Sequence, residues 1–286
     1  MIIGVLASGI LGIKVIQHLL QSWQISFIFT YNRSKDIIEI CDQNKINLFI
    51  GNPRNGRADD FIKNKDIDIL ISVNYLFLID RKLIDLPKKF AFNIHGSLLP
   101  KYRGRSPHIW AIINNEKKTG ITAHVIDDGC DTGDIIAQIE VEIDNDDTGG
   151  IILTKYAELY IPLVDEVLKS IEANTVSFKR QKNESSSYFD KRTAEDGKIN
   201  WNWQKERIHN WIRAQASPYP GAFAFYNDEK IIIDRIAYSD YGYTNLMRNG
   251  LIISSDPLLI KTTNGIIEIL EHRSNNTIFK INHFLK

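Results

Sequence analysis

Short apolar runs alternate with longer amphipathic stretches over the first two thirds of the chain. The runs apolar enough to form buried strands are Ile2–Leu6, Ile25–Thr30, Leu48–Ile50 and Ile67–Val73. Between them, apolar residues recur at helical spacing, which predicts helices. Because strands and helices alternate, the pattern predicts an α/β fold built on a doubly wound, mostly parallel sheet.

One of the predicted strands carries polar side chains at its end. In Phe90–His95 the large apolar residues alternate with smaller or polar ones, so Asn93 and His95 share one face. A loop follows, and the carboxyl end of a strand is the usual place for chemistry in an α/β sheet. Asp131, in a second loop, is a candidate partner for His95. A single His at a strand end is more often structural, and an Asp among small residues commonly forms a turn.

The pattern changes after the polar, Ser-rich stretch Gln181–Ser187, which we interpret as a linker. Short strand-like runs separated by turn formers follow, at Ile231–Tyr238, Leu251–Ser254, Leu258–Thr262 and Ile266–Leu270. These runs predict a smaller, mainly β, barrel-like C-terminal domain. We therefore expect two domains, a larger one over residues 1–188 and a smaller one over residues 189–286.

Composition narrows the class of protein. The chain has 286 residues, 43% of them hydrophobic, and a formal net charge of zero. Zero net charge argues against a nucleic-acid partner held through many phosphate contacts. Cys41 and Cys130 have no metal-ligand or redox spacing, so no metal site is predicted. The apolar N-terminal run lacks a basic start, so we expect a cytoplasmic protein with no membrane partner. The sequence leaves open whether it forms a homodimer.

Asn93, His95 and Asp131 belong to a long sequence motif. The chain reads Asn93-Ile-His95-Gly-Ser-Leu-Leu-Pro-Lys-Tyr-Arg103-Gly, followed at a distance by Thr122, His124, Asp131, Thr132 and Gly133. This pattern resembles the formyltetrahydrofolate-dependent formyltransferases, which include methionyl-tRNA formyltransferase, glycinamide ribonucleotide formyltransferase and the sugar N-formyltransferases. The resemblance covers residues 1 to about 225. It implies a Rossmann-like catalytic domain and 10-formyltetrahydrofolate as the co-substrate.

The resemblance assigns catalysis to Asn93, His95 and Asp131. Formyl transfer to an amine needs a donor for the developing oxyanion, and the Asn93 amide suits that role. It also needs a proton acceptor near neutral pH, and His95 is suited to it. His95 could instead donate to the oxyanion as imidazolium, and the sequence leaves both roles open. Asp131 would orient His95 and stabilise its charge, or carry the proton through water. No evident nucleophile lies beside His95, so no covalent intermediate is implied.

Two loops are candidates for the folate site. The apolar stretch 74–79 follows a buried strand and could form a wall for a flat heterocycle. The family's matching loop binds the pterin largely through backbone groups, so the resemblance nominates Phe77, Leu78 and Ile79. The alternative is a turn packed into the core. The second loop contributes Asp127 and Gly129.

The acceptor is expected to be a nucleotide-linked amino sugar. Arg103-Gly-Arg105-Ser-Pro resembles the sugar N-formyltransferases, and the region after Thr30 lacks the basic insertion of the tRNA enzymes. Family frequency favours a 4-amino-4,6-dideoxyhexose on dTDP, for lipopolysaccharide or O-antigen synthesis. The alternative is a methionyl-tRNA formyltransferase. A non-catalytic binding protein on the same fold would be expected to lack a member of the catalytic set, and all three are present.

Five residues are candidates for binding this acceptor. The strand–loop–helix at Ser8 and Gly9 is a possible phosphate site, and equally a tight turn. Loop arginines such as Arg103 and Arg105 suit a diphosphate, although such side chains are commonly solvated. Tyr219 could cover the base or sugar, although large aromatic residues near a domain junction more often belong to the core.

Overall fold

The computed structural model describes residues 1–275 and 277–286. The chain forms two compact units. The first unit comprises residues 1–104, 120–141 and 155–188, and the second comprises residues 105–119, 142–154 and 189–286. The predicted boundary at 188/189 coincides with a change of unit, but residues 105–119 and 142–154 group with the second unit. The division into domains 1–188 and 189–286 stays a prediction.

Strands and helices alternate through the first unit and give way to consecutive strands in the second. The strands are β1 Ile2–Ala7, β2 Gln24–Thr30, β3 Asn47–Ile50, β4 Ile69–Val73, β5 Phe90–His95, β6 Arg103–Gly104, β7 Lys118–Val125, β8 Ile135–Glu142, β9 Tyr188–Phe189, β10 Ala222–Tyr226, β11 Glu229–Ser239, β12 Ile252–Ser255, β13 Leu258–Thr262 and β14 Gly265–Arg273. The α-helices are α1 Gly9–Ser22, α2 Lys35–Gln43, α3 Asp59–Ile62, α4 Arg81–Ile84, α5 Pro107–Ile113, α6 Gly149–Glu172 and α7 Lys205–Gln215. Short 3-10 helices occupy Asn183–Ser185 and Ala194–Gly197.

A seven-stranded sheet forms the framework of the first unit. Its strand order is β3-β2-β1-β4-β5-β7-β8. The strands from β3 to β5 are parallel, and β7 joins β5 antiparallel. β4 is buried along its whole length, as its unbroken apolar run predicts for a central parallel strand. The doubly wound, mostly parallel sheet expected from the sequence is confirmed.

The carboxyl ends of β1 and β4 are joined by hydrogen bonds. The Ser8 backbone N–H donates to the Val73 carbonyl over 3.2 Å. The Asn74 side-chain amide donates to the Ser8 carbonyl, also over 3.2 Å. Strand β5 lies on the other side of β4 in the same parallel direction. The loops after β1, β4 and β5 therefore leave the sheet from one edge, where doubly wound folds bind their ligands.

The second unit is built on a five-stranded sheet that the end of the chain closes. The strand order is β10-β11-β14-β13-β12, and the pairings are antiparallel. Backbone bonds join residues 282–285 to residues 250–252 beside β12. At the other edge, Lys286 and Phe225 exchange two backbone bonds of 2.7 and 2.8 Å. Residues 282–286 thus bridge both edges, which gives the barrel-like closure that the sequence predicts.

Two helices begin in different ways. Thr148 caps α6, because its hydroxyl accepts the Ile151 N–H over 3.2 Å. Ser106 precedes α5 but does not cap it, although serine is a common capping residue. Its backbone is left-handed, with a φ of 53°, and its hydroxyl makes no capping bond. Within residues 1–275 and 277–286, no helix is both long and apolar enough to cross a bilayer.

Candidate active site

The pairing of β5 with β7 sets the positions of the candidate catalytic side chains. Asn93 stands opposite His124 in the antiparallel ladder, and His95 stands opposite Thr122. Both strands are largely buried, so these polar groups lie where water competes little for their hydrogen bonds. The alternation seen in the sequence therefore places Asn93, His95 and His124 in one cluster at the end of the sheet.

His95 is buried between two oxygen acceptors. Its Nε2 lies 2.8 Å from the carbonyl oxygen of Tyr102, and its Nδ1 lies 3.5 Å from the Asp131 carboxylate. Only 7% of the residue is exposed. Burial lowers the pKa of His95, while the Asp131 charge and the Tyr102 carbonyl oppose that shift. Since Nε2–H donates to a fixed backbone carbonyl, Nδ1 is the nitrogen that can gain or lose a proton beside Asp131.

Asp131 joins two histidines. One carboxylate oxygen faces His95, and the other lies 3.5 Å from Nε2 of His124. The Gly104 backbone N–H also donates to Asp131, over 2.9 Å. Burial acts to raise the pKa of Asp131, but the two histidines and the Gly104 N–H outweigh it and hold that pKa well below its usual range. Asp131 is therefore the fixed negative charge of the site.

His124 is a member of the site that the sequence interpretation left without a role. Its Nδ1–H donates to the Val125 carbonyl over 2.9 Å, which leaves the Nε2 lone pair as an acceptor when the ring is neutral. The Asn93 side-chain nitrogen lies 3.2 Å from that Nε2. In this state one amide N–H of Asn93 is held by His124, and the other remains to be offered to an oxyanion. His124 was present in the motif that carried the resemblance, which was the available signal.

The loop that bears Asp131 is held by a side chain from the predicted linker. Gln181 is buried, and its amide nitrogen donates to the backbone carbonyls of Asp131 and Gly133, over 2.9 and 2.7 Å. Its amide oxygen accepts two bonds from the Arg103 guanidinium, at 3.1 and 2.8 Å. The interpretation of Gln181–Ser187 as a simple linker is therefore wrong. Its Gln181 holds the backbone of the loop that carries Asp131.

Arg103 was predicted to bind the acceptor. In the structure its guanidinium contacts other side chains of the first unit. Besides Gln181, its guanidinium contacts the Asn183 side-chain oxygen at 3.3 and 3.4 Å, and 7% of the residue is exposed. These contacts make Arg103 a positioning residue that acts on Asp131 through Gln181. A direct contact with substrate stays a prediction.

The turn after β5 has its own hydrogen bonds. The Ser97 hydroxyl donates to the Lys101 carbonyl over 2.7 Å, and the Thr122 hydroxyl donates to the Ser97 carbonyl over 2.6 Å. Ser97 is 1% exposed, so its hydroxyl closes the turn and does not face solvent. These bonds bring the Tyr102 carbonyl back to His95.

The two loops predicted to hold the folate are linked at the same edge. Arg81, just after the 74–79 stretch, contacts the Asp128 carboxylate at 3.2 Å. In the stretch itself, Leu78 is 62% exposed, whereas Ile79 packs against the hydrophobic core and Phe77 lies edge-on to Tyr75. Leu76, at 36%, is exposed as well, so Leu78 is the most exposed apolar side chain of the stretch and the candidate for contact with a ligand.

The second folate loop is ordered by its own carboxylate. Asp127 accepts the Gly129 N–H over 3.1 Å and the Thr132 hydroxyl over 2.7 Å. A Cβ on Gly129 would lie 1.9 Å from that hydroxyl oxygen, so glycine is required there. Asp127 therefore fixes the loop shape, and contact of either residue with folate stays a prediction. Among the described residues, no three metal-ligating side chains are arranged to hold an ion.

Two family models match this chain. A family model described as formyl transferase matches residues 32–165, and the formyl transferase C-terminal domain matches residues 191–286. The chain belongs to the formyl transferase family. The family predicted from the motif is thereby confirmed, and both of its characteristic regions are present.

The similar proteins include a methionyl-tRNA formyltransferase and a sugar formyltransferase. The bifunctional polymyxin resistance protein ArnA of Wigglesworthia glossinidia brevipalpis is 34% identical over 92% of this chain and 39% of its own length. A methionyl-tRNA formyltransferase of Ruminiclostridium cellulolyticum is 37% identical over 71% of this chain and 66% of its own. The chain thus spans less than two thirds of either relative. The crystal structure of WlaRD, a sugar 3N-formyl transferase in the presence of dTDP and 5-N-formyl-THF, aligns with a TM-score of 0.70. It is 25% identical, covering 97% of this chain and 98% of that one.

The remaining acceptor candidates fall in different parts of this formyl transferase chain. Ser8 is 2% exposed, and its hydroxyl has no hydrogen-bond partner among the described residues, while Gly9 has a φ of 62°. Both lie at the start of α1 in the first unit. Arg105 and Tyr219 belong to the second unit. Arg105 is exposed, and the Tyr219 hydroxyl lies 2.6 Å from Nε2 of His108. Burial raises the pKa of Tyr219 to about 12.

Proposed function

We propose that this protein transfers the formyl group of 10-formyltetrahydrofolate to the amine of a nucleotide-linked amino sugar. The specific acceptor we propose is a 4-amino-4,6-dideoxyhexose on dTDP. The observation that carries the transfer chemistry is the cluster of Asn93, His95 and Asp131 in one buried network. Membership of the formyl transferase family gives that cluster its reaction class.

The network suits each step of an acyl transfer to nitrogen. As the amine lone pair attacks the formyl carbon, negative charge develops on the formyl oxygen, and an N–H of Asn93 is the donor for it. The attacking nitrogen must lose a proton, and Nδ1 of neutral His95 is the acceptor, with the new positive charge stabilised by Asp131. The proton then returns to the departing folate nitrogen. Each residue acts on the reacting atoms without forming a covalent bond to them.

The folate is proposed to lie between the 74–79 stretch and the 127–133 loop. Leu78 offers exposed apolar surface to a flat heterocycle, and the exposed Arg81–Asp128 ion pair lies between the two loops. A relative of similar fold was crystallised with 5-N-formyl-THF, which supports a formylated folate as donor.

The choice of a dTDP sugar as acceptor rests on charge and on the relatives, and the 4-amino position rests on family frequency alone. A nucleotide sugar carries two phosphates, which one helix N-terminus and one or two arginines can hold. Ser8, Gly9 and Arg105 are the candidates for that role. The chain has zero formal net charge, whereas a tRNA acceptor calls for many phosphate contacts. WlaRD was crystallised with dTDP, which favours a dTDP sugar over other nucleotides.

A panel assay tests this function. The protein is incubated with 10-formyltetrahydrofolate and dTDP-, UDP- and GDP-linked 3-amino and 4-amino sugars. The mass of each acceptor is then measured by mass spectrometry. We expect a gain of one formyl group on a dTDP-linked amino sugar. Arg105→Ala should raise KM for the sugar nucleotide more than KM for the folate, and Arg207→Ala, an exposed arginine of the same unit, serves as the control.

Because the chain is similar to a methionyl-tRNA formyltransferase, formylation of charged initiator tRNA is a second candidate function. Charged initiator tRNA is therefore included in the same panel. Robust formylation of that tRNA, with no mass gain on any amino-sugar nucleotide, would overturn the proposed acceptor. It would leave the formyl-transfer chemistry of the Asn93–His95–Asp131 network in place.

A further inference from the structure

A polar cavity of about 490 Å³ lies in the second unit, beside the closed five-stranded sheet. Its polar lining consists of Asn202, Asn245, Arg248, Asn249, Lys261 and Thr263. Its size falls in the range of small-molecule sites, roughly 300–1,000 Å³. Every residue of this lining belongs to the second unit, so the cavity is separate from the Asn93–His95–Asp131 network of the first.

The feature that singles out this cavity is Lys261. It lies within strand β13 and is 2% exposed, although lysine is almost never fully buried without an acidic partner. Its ammonium contacts the Thr262 carbonyl, and the Asn249 side-chain oxygen lies 3.4 Å away. The Tyr243 ring covers it at 4.5 Å from the ring centre. All three partners are neutral.

The charge of Lys261 is therefore not balanced by these partners. Burial lowers the pKa of Lys261, as expected for an ammonium taken out of water without a counter-ion. Arg248 adds a second cation to the lining, and no aspartate or glutamate lines the cavity among the residues the structure describes. Two cations surrounded by side-chain amides and a hydroxyl form an environment that favours an anion with several oxygen acceptors.

The lining is held in place by its own hydrogen bonds. The Asn249 amide donates to the Asn202 side-chain oxygen over 2.9 Å and to the Thr263 hydroxyl over 3.2 Å. The Thr263 hydroxyl in turn donates to the Asn202 backbone carbonyl over 2.8 Å. Asn249 therefore presents its oxygen to Lys261 and its nitrogen to the other two residues. An anion that replaced the Asn249 oxygen at Lys261 would leave this arrangement intact.

We propose that this cavity binds the phosphate group of a small phosphate ester, with Lys261 and Arg248 as the cations that hold it. Lysine binds phosphate as a compact point charge, and arginine binds it through paired N–H groups. The volume accommodates one nucleotide or sugar phosphate. A nucleic-acid strand would need a series of phosphate contacts, which one cavity of this size does not provide.

The test maps ligand binding residue by residue on the full chain. Amide resonances are followed by nuclear magnetic resonance as inorganic phosphate, glucose 1-phosphate or uridine 5′-monophosphate is added at millimolar concentration and constant ionic strength. We expect shifts at Asn249, Thr262 and Thr263 with the phosphates and none with matched sodium chloride. The three ligands distinguish free phosphate, a sugar phosphate and a nucleotide as the source of the group.

Two substitutions test the role of Lys261. Lys261→Met should weaken binding by about tenfold or more, as expected for losing a charged hydrogen-bonding partner. Lys280→Met, an exposed lysine of the same unit, is the matched control and should leave binding unchanged. Asn249→Asp places a carboxylate beside the ammonium, so it should pair with Lys261 and abolish phosphate binding. Because it also loses the two N–H donations to Asn202 and Thr263, its fold is checked by circular dichroism.

Each possible result of these titrations either supports the site or overturns it. Shifts at the cavity that are lost in Lys261→Met, or in Asn249→Asp should the first variant fail to fold, support the site. No shift at residues 249, 262 and 263 with any of the three phosphates would overturn the proposal. Shifts of equal size in wild type and both variants would overturn it as well, and so would shifts confined to the first unit.

Discussion

The two loops proposed to hold the folate differ in what fixes their shape. The 127–133 loop is held by side chains: Asp127 bonds within the loop, and Gln181 bonds its backbone from outside. The 74–79 stretch is held mainly by apolar packing of Tyr75, Phe77 and Ile79, with Leu78 left exposed. The first loop therefore depends on residue identity at several positions. The second combines apolar packing with two side-chain hydrogen bonds, from Asn74 to the Ser8 carbonyl and from the Tyr75 hydroxyl to the Gly51 carbonyl. Its apolar positions need only residues that pack, so they are easier to exchange.

This difference predicts where substitutions will be severe. A change in the side-chain network removes a specific hydrogen bond or charge, which costs a full desolvation penalty when the partner stays buried. A change at an exposed apolar position removes contact area alone. The five predictions below test the contrast, beginning with the largest effect.

The largest effects are expected at the catalytic network. His95→Asn and Asp131→Asn should each lower kcat by about 10²–10⁴, the usual contribution of a positioned acid–base group. The fold should persist, because neither substitution changes the size of the side chain greatly. The measurement is single-turnover formyl transfer together with circular dichroism. A His95→Asn enzyme with near wild-type turnover would contradict the mechanism.

Removing His124 tests how the Asn93 amide is oriented. His124→Phe keeps an aromatic ring but loses the acceptor for Asn93 and the contact with Asp131. We expect kcat to fall by about tenfold to a hundredfold, less than for loss of an oxyanion donor itself, which costs roughly 10²–10³. KM for both substrates should change little. Asn93→Ala is measured alongside, and an additive double variant would show that His124 does not act through Asn93.

The pH profile tests which form of His95 works. Burial lowers the pKa of His95 below its ordinary value of 6.5, and Asp131 stays ionised because its own pKa is lowered. If neutral His95 is the base, kcat rises with pH through that lowered pKa and is flat above neutrality. Since the Asp131 charge raises the pKa of His95, Asp131→Asn should move the rising limb to lower pH. A kcat that falls as the pH rises through the same region would assign the imidazolium as oxyanion donor.

Gln181→Glu tests how the Asp131 loop is positioned. The new carboxylate can pair with Arg103, but it can no longer donate to the Asp131 and Gly133 carbonyls. We expect kcat to fall severalfold and thermal stability to fall as well, because two buried carbonyls lose their donor. Asn183→Ala is the matched control, since Asn183 contacts Arg103 without contacting Asp131. Equal losses of kcat in the two variants would show that Arg103, and not the Asp131 loop, is what matters.

The smallest effect is expected at the apolar loop. Leu78→Ser should raise KM for the folate by a few-fold and leave kcat unchanged. Fully burying a leucine side chain contributes about 1.5–3 kcal/mol, and the substitution removes only part of that contribution to folate binding. Ile50→Ser, at another half-exposed apolar position in the same unit, controls for general destabilisation. A loss of kcat at Leu78 as large as that at His95 would contradict the contrast between the two loops.

Local patterns in the sequence were enough to predict some parts of the site. The period-two alternation of β5 places Asn93 and His95 on one face, and the structure confirms that strand residue for residue. The alternation of strands and helices predicts the parallel sheet for the same reason. In each case the signal lies in consecutive residues, where backbone geometry alone decides which side chains are neighbours.

Other parts depend on partners far apart in the chain. Gln181 looks like part of a polar linker, and only the folded chain brings it to Asp131, 50 positions earlier. The left-handed backbone at Ser106 is likewise invisible to a rule that expects serine to cap a helix. Lys261 looks like an ordinary strand residue until its burial is seen. Polar side chains leave this ambiguity because tertiary contacts decide whether they face water or a buried partner.

The closing segment of the second unit determines how the chain can be shortened. Residues 282–286 occupy the edges of both β10 and β12, which would otherwise display unpaired N–H and C=O groups. Such edges are templates for pairing between molecules. A variant that ends at residue 281 should therefore self-associate, even though it retains each candidate catalytic residue.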